Sequence, residues 1–134
     1  MYGWYDLGGT PSMRAFRRRL VFSGEELKWM ASLLVPDTSR RLARAGPEAG
    51  GCSPLYSPLH ALPRALFTVG TDDALCDDTL FLAARWAAHG LPAELEVYPG
   101  AAHGLGHFGP HEFTSQGQHI NDRVHRYLSL AMRT

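Results

Sequence analysis

Ala65-Leu-Phe-Thr-Val-Gly70, Asp77-Asp-Thr-Leu-Phe-Leu-Ala-Ala-Arg-Trp-Ala-Ala-His-Gly90 and Glu94-Leu-Glu-Val-Tyr98 follow one another in the second half of the chain and decide its fold class. Ala65 to Val69 is a short, nearly continuous apolar run ending at Gly70, the pattern of a strand buried on both faces. Thr79 to His89 is rich in Leu, Phe, Trp and Ala. It opens behind Asp77 and Asp78, which read as N-caps, and closes at Gly90 before Pro92, so start and stop signals agree on a helix. Glu94 to Tyr98 alternates and predicts a second strand. Strand, helix and strand at this spacing make a βαβ unit, parallel and right-handed so that its helix packs back on the sheet. The expected class is α/β.

Outward from this unit, Ile120, Val124, Tyr127, Leu128 and Ala131 form one apolar stripe on a predicted terminal helix. Toward the N-terminus, Ser23-Gly-Glu-Glu26 matches a capping box, and Leu27, Met30, Leu33 and Leu34 recur at helical spacing until Pro36. Tyr2 to Leu7 reads as the end of a strand, and Gly8-Gly-Thr-Pro-Ser12 as turn chemistry. Residues 36 to 64 hold five of the nine prolines together with Gly46, Gly50 and Gly51, a composition suited to a long irregular connection. Two parallel strands alone leave both outer edges unpaired, so the chain reads as part of a domain.

The 134 residues are 45% hydrophobic and 19% charged, a globular composition sized for at most one domain. Thirteen basic and thirteen acidic side chains cancel, which argues against nucleic acid and anionic membranes as partners. The balance hides a division. Residues 1–64 carry 9 basic and 5 acidic groups and residues 65–134 carry 4 and 8, so a basic run such as Arg14, Arg17, Arg18 and Arg19 reads as a solvated face or as one side of intramolecular pairs. No apolar run has a membrane-spanning length, and the first residues lack the features of a signal peptide. Cys52 and Cys76 stand 24 positions apart with no Cys-x-x-Cys. A disulfide framework and a cysteine zinc site are therefore not expected, and a reducing, cytoplasmic setting fits.

In open parallel sheets, ligands and catalytic groups collect beyond the carboxyl ends of the strands. Here that position belongs to Gly70–Asp78, with Asp72, Asp73, Asp77 and Asp78, and to Pro99–Phe108, with His103. Adjacent parallel strands end side by side, so an acid after one and a histidine after the next can meet as the acid–base half of a nucleophilic triad. Nucleophile, acid, histidine is also the chain order of α/β hydrolases. A loop histidine can equally be a surface residue. His103, His107 and His111 recur every four residues, but Gly104, Gly106, Gly109 and Pro110 forbid the helix that would align them as metal ligands. No metal or cofactor is expected.

Ser-Pro-Leu-Tyr56, Leu-Pro-x-Ala-Leu-Phe-Thr-Val-Gly-Thr71, Asp-Ala-Leu-Cys-Asp-Asp78, Ala-Ala-Arg-Trp86 and Val-Tyr-Pro-Gly-Ala-Ala-His-Gly104 together resemble the C-terminal half of the hormone-sensitive-lipase-like (α/β hydrolase fold-3) esterases. The resemblance implies an incomplete α/β hydrolase fold, the C-terminal strands of a parallel sheet with flanking helices. Residues 1–134 would be the C-terminal part of one domain, with 13–64 a cap-like connection over the acyl pocket and 65–134 the strand-helix-strand-helix that carries the acid and histidine loops. It implies a carboxylic-ester hydrolase, with Asp73 as the catalytic acid, His103 as the base and a small acyl ester as substrate. Asp72, Asp77 and Asp78 are not the implied acid. Leu105 stands where the family usually has Phe, trimming an aromatic wall that Phe108 is positioned in sequence to replace.

The family's nucleophile, in Gly-Asp-Ser-Ala-Gly, and its oxyanion loop, His-Gly-Gly-Gly, both lie upstream of the matching residues, and no serine of this chain sits in Gly-x-Ser-x-Gly. Loss of the serine from a comparable triad costs about six orders of magnitude in kcat. Two readings follow. The chain is a partial copy of a carboxylesterase whose serine-bearing half is absent, or it is a non-catalytic remnant or interaction module that pairs with another chain through its open sheet edge. That same edge predicts self-association.

Overall fold

The computed structural model describes residues 3–35, 45, 51–104 and 114–133. In chain order the described elements are α1 (Pro11–Ala15), α2 (Gly24–Leu34), a 3-10 turn (Pro54–Tyr56), β1 (Ala65–Asp72), α3 (Cys76–Ala88), β2 (Ala93–Ala102) and α4 (Ser115–Ala131). The two strands are parallel, with α3 crossing between them, as the βαβ pattern requires.

The first six residues of β1 are buried, because helices cover both faces of its sheet. On one face Ala65 and Phe67 pack against Leu82, Ala83 and Trp86 of α3 and against Leu55 and Leu59, with Phe67 meeting the Trp86 ring edge-on. On the other, Tyr98 and Ala101 of β2 pack with Ile120 of α4. Below them, Arg123 of α4 reaches both Glu94 and Glu96. The α4 stripe is narrower than its spacing predicts: Ile120 and Tyr127 are buried and Val124 is half-buried, but Leu128 is exposed.

The predicted start of α2 and end of α3 hold. Ser23 and Glu26 exchange the two bonds of a capping box at the start of α2. After α3, Gly90 at φ +69° lets its own N–H bond the Ala87 carbonyl and that of Leu91 bond the Trp86 carbonyl, with Leu91 packed back on the Trp86 cluster.

Three expectations need correction. Tyr5 and Asp6 are not a strand end. Their backbone N–H groups are bound at 2.8 and 2.7 Å by Asp78, while the Tyr5 carbonyl accepts from Leu55 N–H. Gly8–Ser12 is only partly a turn, since Pro11, well placed at the first position of a helix, opens α1. Finally, α3 begins at Cys76, so Asp77 and Asp78 lie in its first turn rather than at its cap. Leu75 is the N-cap residue and makes no side-chain cap bond.

The two aspartates instead tie the N-terminal segment to α3. Asp77 Oδ2 accepts from Ser12 N–H near the start of α1 at 2.7 Å, and Ser12 Oγ accepts from Asp77 N–H at 3.1 Å, so each helix caps the other. Asp78, fully buried, also accepts from the Thr10 hydroxyl at 2.7 Å.

Candidate active site

A β-bulge sets the geometry of the strand ends. From Ala65↔Ala93 through Gly70↔Tyr98 the partners are 28 residues apart, but at Asp72↔Ala102 they are 30 apart. The two extra residues of β2 lie around Pro99 and Gly100. Gly100 adopts φ +71°, and its N–H bonds the Thr71 hydroxyl at 2.8 Å. Without the bulge the residue level with Asp73 would be Ala101. With it, the next residue on each strand is Asp73 and His103.

His103 Nδ1 lies 2.9 Å from Asp73 Oδ2. A carboxylate can only accept, so Nδ1 of the imidazole is the donor in this pair. Asp73 is 3% exposed. Its other oxygen accepts from Leu75 N–H at 2.8 Å, and its carbonyl accepts from Cys76 N–H at 3.1 Å, a local turn that fixes the carboxylate before α3 begins. The histidine side chain is 15% exposed. Gly104, at φ +70°, turns the chain immediately after it.

His103 opens on a cleft of about 310 Å³ lined by Leu20 and Val21 on one side and by Asp72, Gly100, Thr114 and Gln116 among others. Arg18 bridges Asp72 at 2.5 Å across its edge. Of the four aspartates in the first loop, therefore, Asp73 meets the histidine, Asp72 pairs with Arg18, and Asp77 and Asp78 hold the N-terminal segment. Burial pushes the Asp78 carboxyl above its ordinary range, outweighing its three donors and helped by the nearby Asp6 carboxylate. Burial, with Asp78 beside it, also raises the Tyr5 phenol to about 12. Cys76 is pushed up by burial and by Asp77 and Asp73, which disfavours a reactive thiolate.

Sequence reasoning missed the segment between α1 and α2. Phe22 lies with its ring centroid 5.6 Å from that of His103, the planes tilted by 59°. Nothing periodic marks it, and its place just before a capping box suggests a helix staple instead. Leu105, His107, Phe108 and His111 lie outside the described residues. Among the described residues no cluster of three metal-ligating side chains occurs, and no helix is long and apolar enough to cross a membrane.

Known proteins share this architecture. A family model described as the alpha/beta hydrolase fold matches residues 1–107. Esterase LipU of Mycobacterium tuberculosis (strain ATCC 25618 / H37Rv) is 43% identical over 53 residues, 37% of this chain and 18% of LipU. The structure of esterase LipW from Mycobacterium marinum superposes with a TM-score of 0.78 at 26% identity, covering 96% of this chain and 38% of LipW. That of EstE5 soaked with p-nitrophenyl butyrate gives a TM-score of 0.75 at 25% identity, covering 98% of this chain and 42% of EstE5. The chain thus spans about two-fifths of the length of these solved esterases. With its parallel βαβ unit and flanking helices forming part of that fold, the chain belongs to the hormone-sensitive-lipase-like branch of the α/β hydrolase fold family.

Proposed function

We propose that the chain supplies the acid and the histidine of a serine-type carboxylic-ester hydrolase, with the serine and the oxyanion donors coming from a segment outside these 134 residues. The observation that carries this reading is the 2.9 Å pair of His103 Nδ1 and buried Asp73 Oδ2 at the ends of adjacent strands. In the proposed reaction His103 Nε2 takes the serine proton as the hydroxyl attacks the ester carbonyl, then returns it to the leaving alcohol. Asp73 holds the tautomer and stabilises the imidazolium between the two steps. Leu20 and Val21 offer an apolar wall beside the histidine, in keeping with a small acyl ester and with a cap-like role for the segment that carries them. The esterase names of the relatives and the p-nitrophenyl butyrate used with EstE5 favour the same class of substrate.

The test joins this chain to an upstream half carrying Gly-Asp-Ser-Ala-Gly and His-Gly-Gly-Gly and measures p-nitrophenyl butyrate hydrolysis. Asp73→Asn should lower kcat by about 10⁴ and His103→Ala by at least as much. The chain alone should hydrolyse this ester no faster than its His103→Ala variant. Retained activity in Asp73→Asn would remove Asp73 from the role.

A second reading, an interaction module that docks on another chain, has its own support. Among the described residues β1 pairs along one edge only, and an apolar cleft of about 400 Å³, lined by Ala65, Leu66, Trp86, Val124, Tyr127 and Leu128, lies beside it. Turnover by the joined protein without a change in the chain's own association would favour the first reading.

A further inference from the structure

We propose that Thr71 and Gln116 are positioning residues for His103, acting through the β-bulge that brings it level with Asp73. The inference deepens the hydrolase reading and rests on it for its catalytic meaning. Between Gly70↔Tyr98 and Asp72↔Ala102, β1 has one residue, Thr71, where β2 has three, Pro99, Gly100 and Ala101. The two extra residues set which side chain of β2 stands beside the acid. Whatever else the imidazole touches, its place along the strand is decided here.

Each bulged residue is met by a different group. The Gly100 N–H donates to the Thr71 hydroxyl at 2.8 Å. The Pro99 carbonyl accepts from Gln116 Nε2, in the first turn of α4, at 3.3 Å. Ala101 lies so close over Gly70 that a Cβ on the glycine would come within 1.9 Å of the Ala101 carbonyl oxygen. Gly100 takes its φ of +71° at little cost, and Pro99, with no N–H, needs no acceptor in the ladder. The backbone therefore bulges easily, but the apolar pattern does not say where. Side chains alternate with a period of two, so a slip by two residues keeps every one of them on its own face.

Satisfying polar groups does not explain the two bonds. Thr71, Pro99 and Gly100 are exposed, where water could serve both the N–H and the carbonyl. Protein groups from two different elements serve them instead. Thr71 fixes the bulge to the strand that carries the acid, two positions before Asp73. Gln116 fixes it to α4, and it borders the same cleft as His103. Water in their place would satisfy the backbone without choosing a register.

The experiment uses NMR of the chain itself, following solvent exchange of the His103 Nδ1 proton. Thr71→Val keeps the branched shape and loses the acceptor. It should speed that exchange about fivefold, the scale of one ordinary hydrogen bond. Thr71→Ser keeps the hydroxyl and should exchange at the wild-type rate. Gln116→Met keeps the length, loses the donor and should also exchange about fivefold faster. The Leu75 N–H, bound to Asp73 Oδ1 at 2.8 Å, is the internal control and should not change, because the turn of the acid loop does not depend on the bulge. Thr71→Ala also lacks the acceptor and serves if the valine variant does not fold. Wild-type exchange in a folded Thr71→Val, Thr71→Ala or Gln116→Met chain, faster exchange in Thr71→Ser, or equal acceleration at the Leu75 N–H would overturn the proposal. No readout requires ester turnover, so failure of the hydrolase assay and failure of this one are separate results.

Discussion

Replacing Asp78 tests whether the N-terminal segment is held by one buried carboxylate. Its two oxygens accept three hydrogen bonds, from Tyr5 N–H, Asp6 N–H and the Thr10 hydroxyl, at 2.8, 2.7 and 2.7 Å. In Asp78→Ala the Asp6 N–H is stranded in a buried site, at a cost of about 1–3 kcal/mol. Tyr5 is half-buried, so water can reach part of what it loses. Thr10 can turn toward Ser12 Oγ, 3.3 Å away. Together these give a loss of about 2–4 kcal/mol, a large fraction of the ~5–15 kcal/mol of an ordinary domain. Asp78→Asn is different. Its carbonyl oxygen can keep both backbone bonds, and its amide can donate to the Thr10 hydroxyl, so the cost should stay near 1 kcal/mol. The pH dependence follows from the raised carboxyl. A folded-state pKa above the unfolded one gives stability that is full below the ordinary carboxyl range and lost as pH rises through the folded value. Wild type should therefore show this loss and Asp78→Asn should not, so the cost of the asparagine should be larger in acid than at neutrality. Urea unfolding followed by tryptophan fluorescence, with Trp4 beside the clamp, measures all three chains. An alanine variant within about 1 kcal/mol of wild type would refute the clamp.

Gly70→Ala should be damaging, because its Cβ would lie 1.9 Å from the Ala101 carbonyl oxygen and the strands must part to admit it. We expect a loss of about 1–3 kcal/mol in urea unfolding, together with a weakened His103 Nδ1 proton signal. Gly100→Ala meets open space and should cost only about 1–2 kcal/mol, for its φ of +71°; equal damage from the two would show that close approach is not what Gly70 provides. Size-exclusion chromatography of the chain should show self-association, since Leu95 and Val97 on β2 are 44% and 43% exposed and β1 is paired on one side only among the described residues. A sharp monomer peak with a cooperative melt would contradict that.

What the sequence revealed and what it hid divide along a physical line. The strands, α2 and α3 were legible because burial on one face writes a period into the chain and burial on both writes an apolar run, and capping residues such as Ser23 and Gly90 mark where the pattern stops. The meeting of Asp73 and His103 was foreseeable in outline from the rule that parallel strands end side by side. Its register was not. Two extra residues around Pro99 and Gly100 shift the partner of the acid from Ala101 to His103, and nothing in an apolar-polar pattern distinguishes such a bulge from the start of a loop. Asp77 and Asp78 differ from the expected caps of α3 for a related reason. An aspartate near a helix start has the same local appearance whether it bonds its own helix or reaches Ser12, Thr10, Tyr5 and Asp6 from a segment more than 60 residues away. Phe22 is the extreme case, an aromatic residue at a staple position that packs on a histidine 81 residues later. Long-range polar and aromatic contacts leave no periodic trace, so the strand scaffold can be read from one sequence while the side chains that gather around His103 on it require the fold.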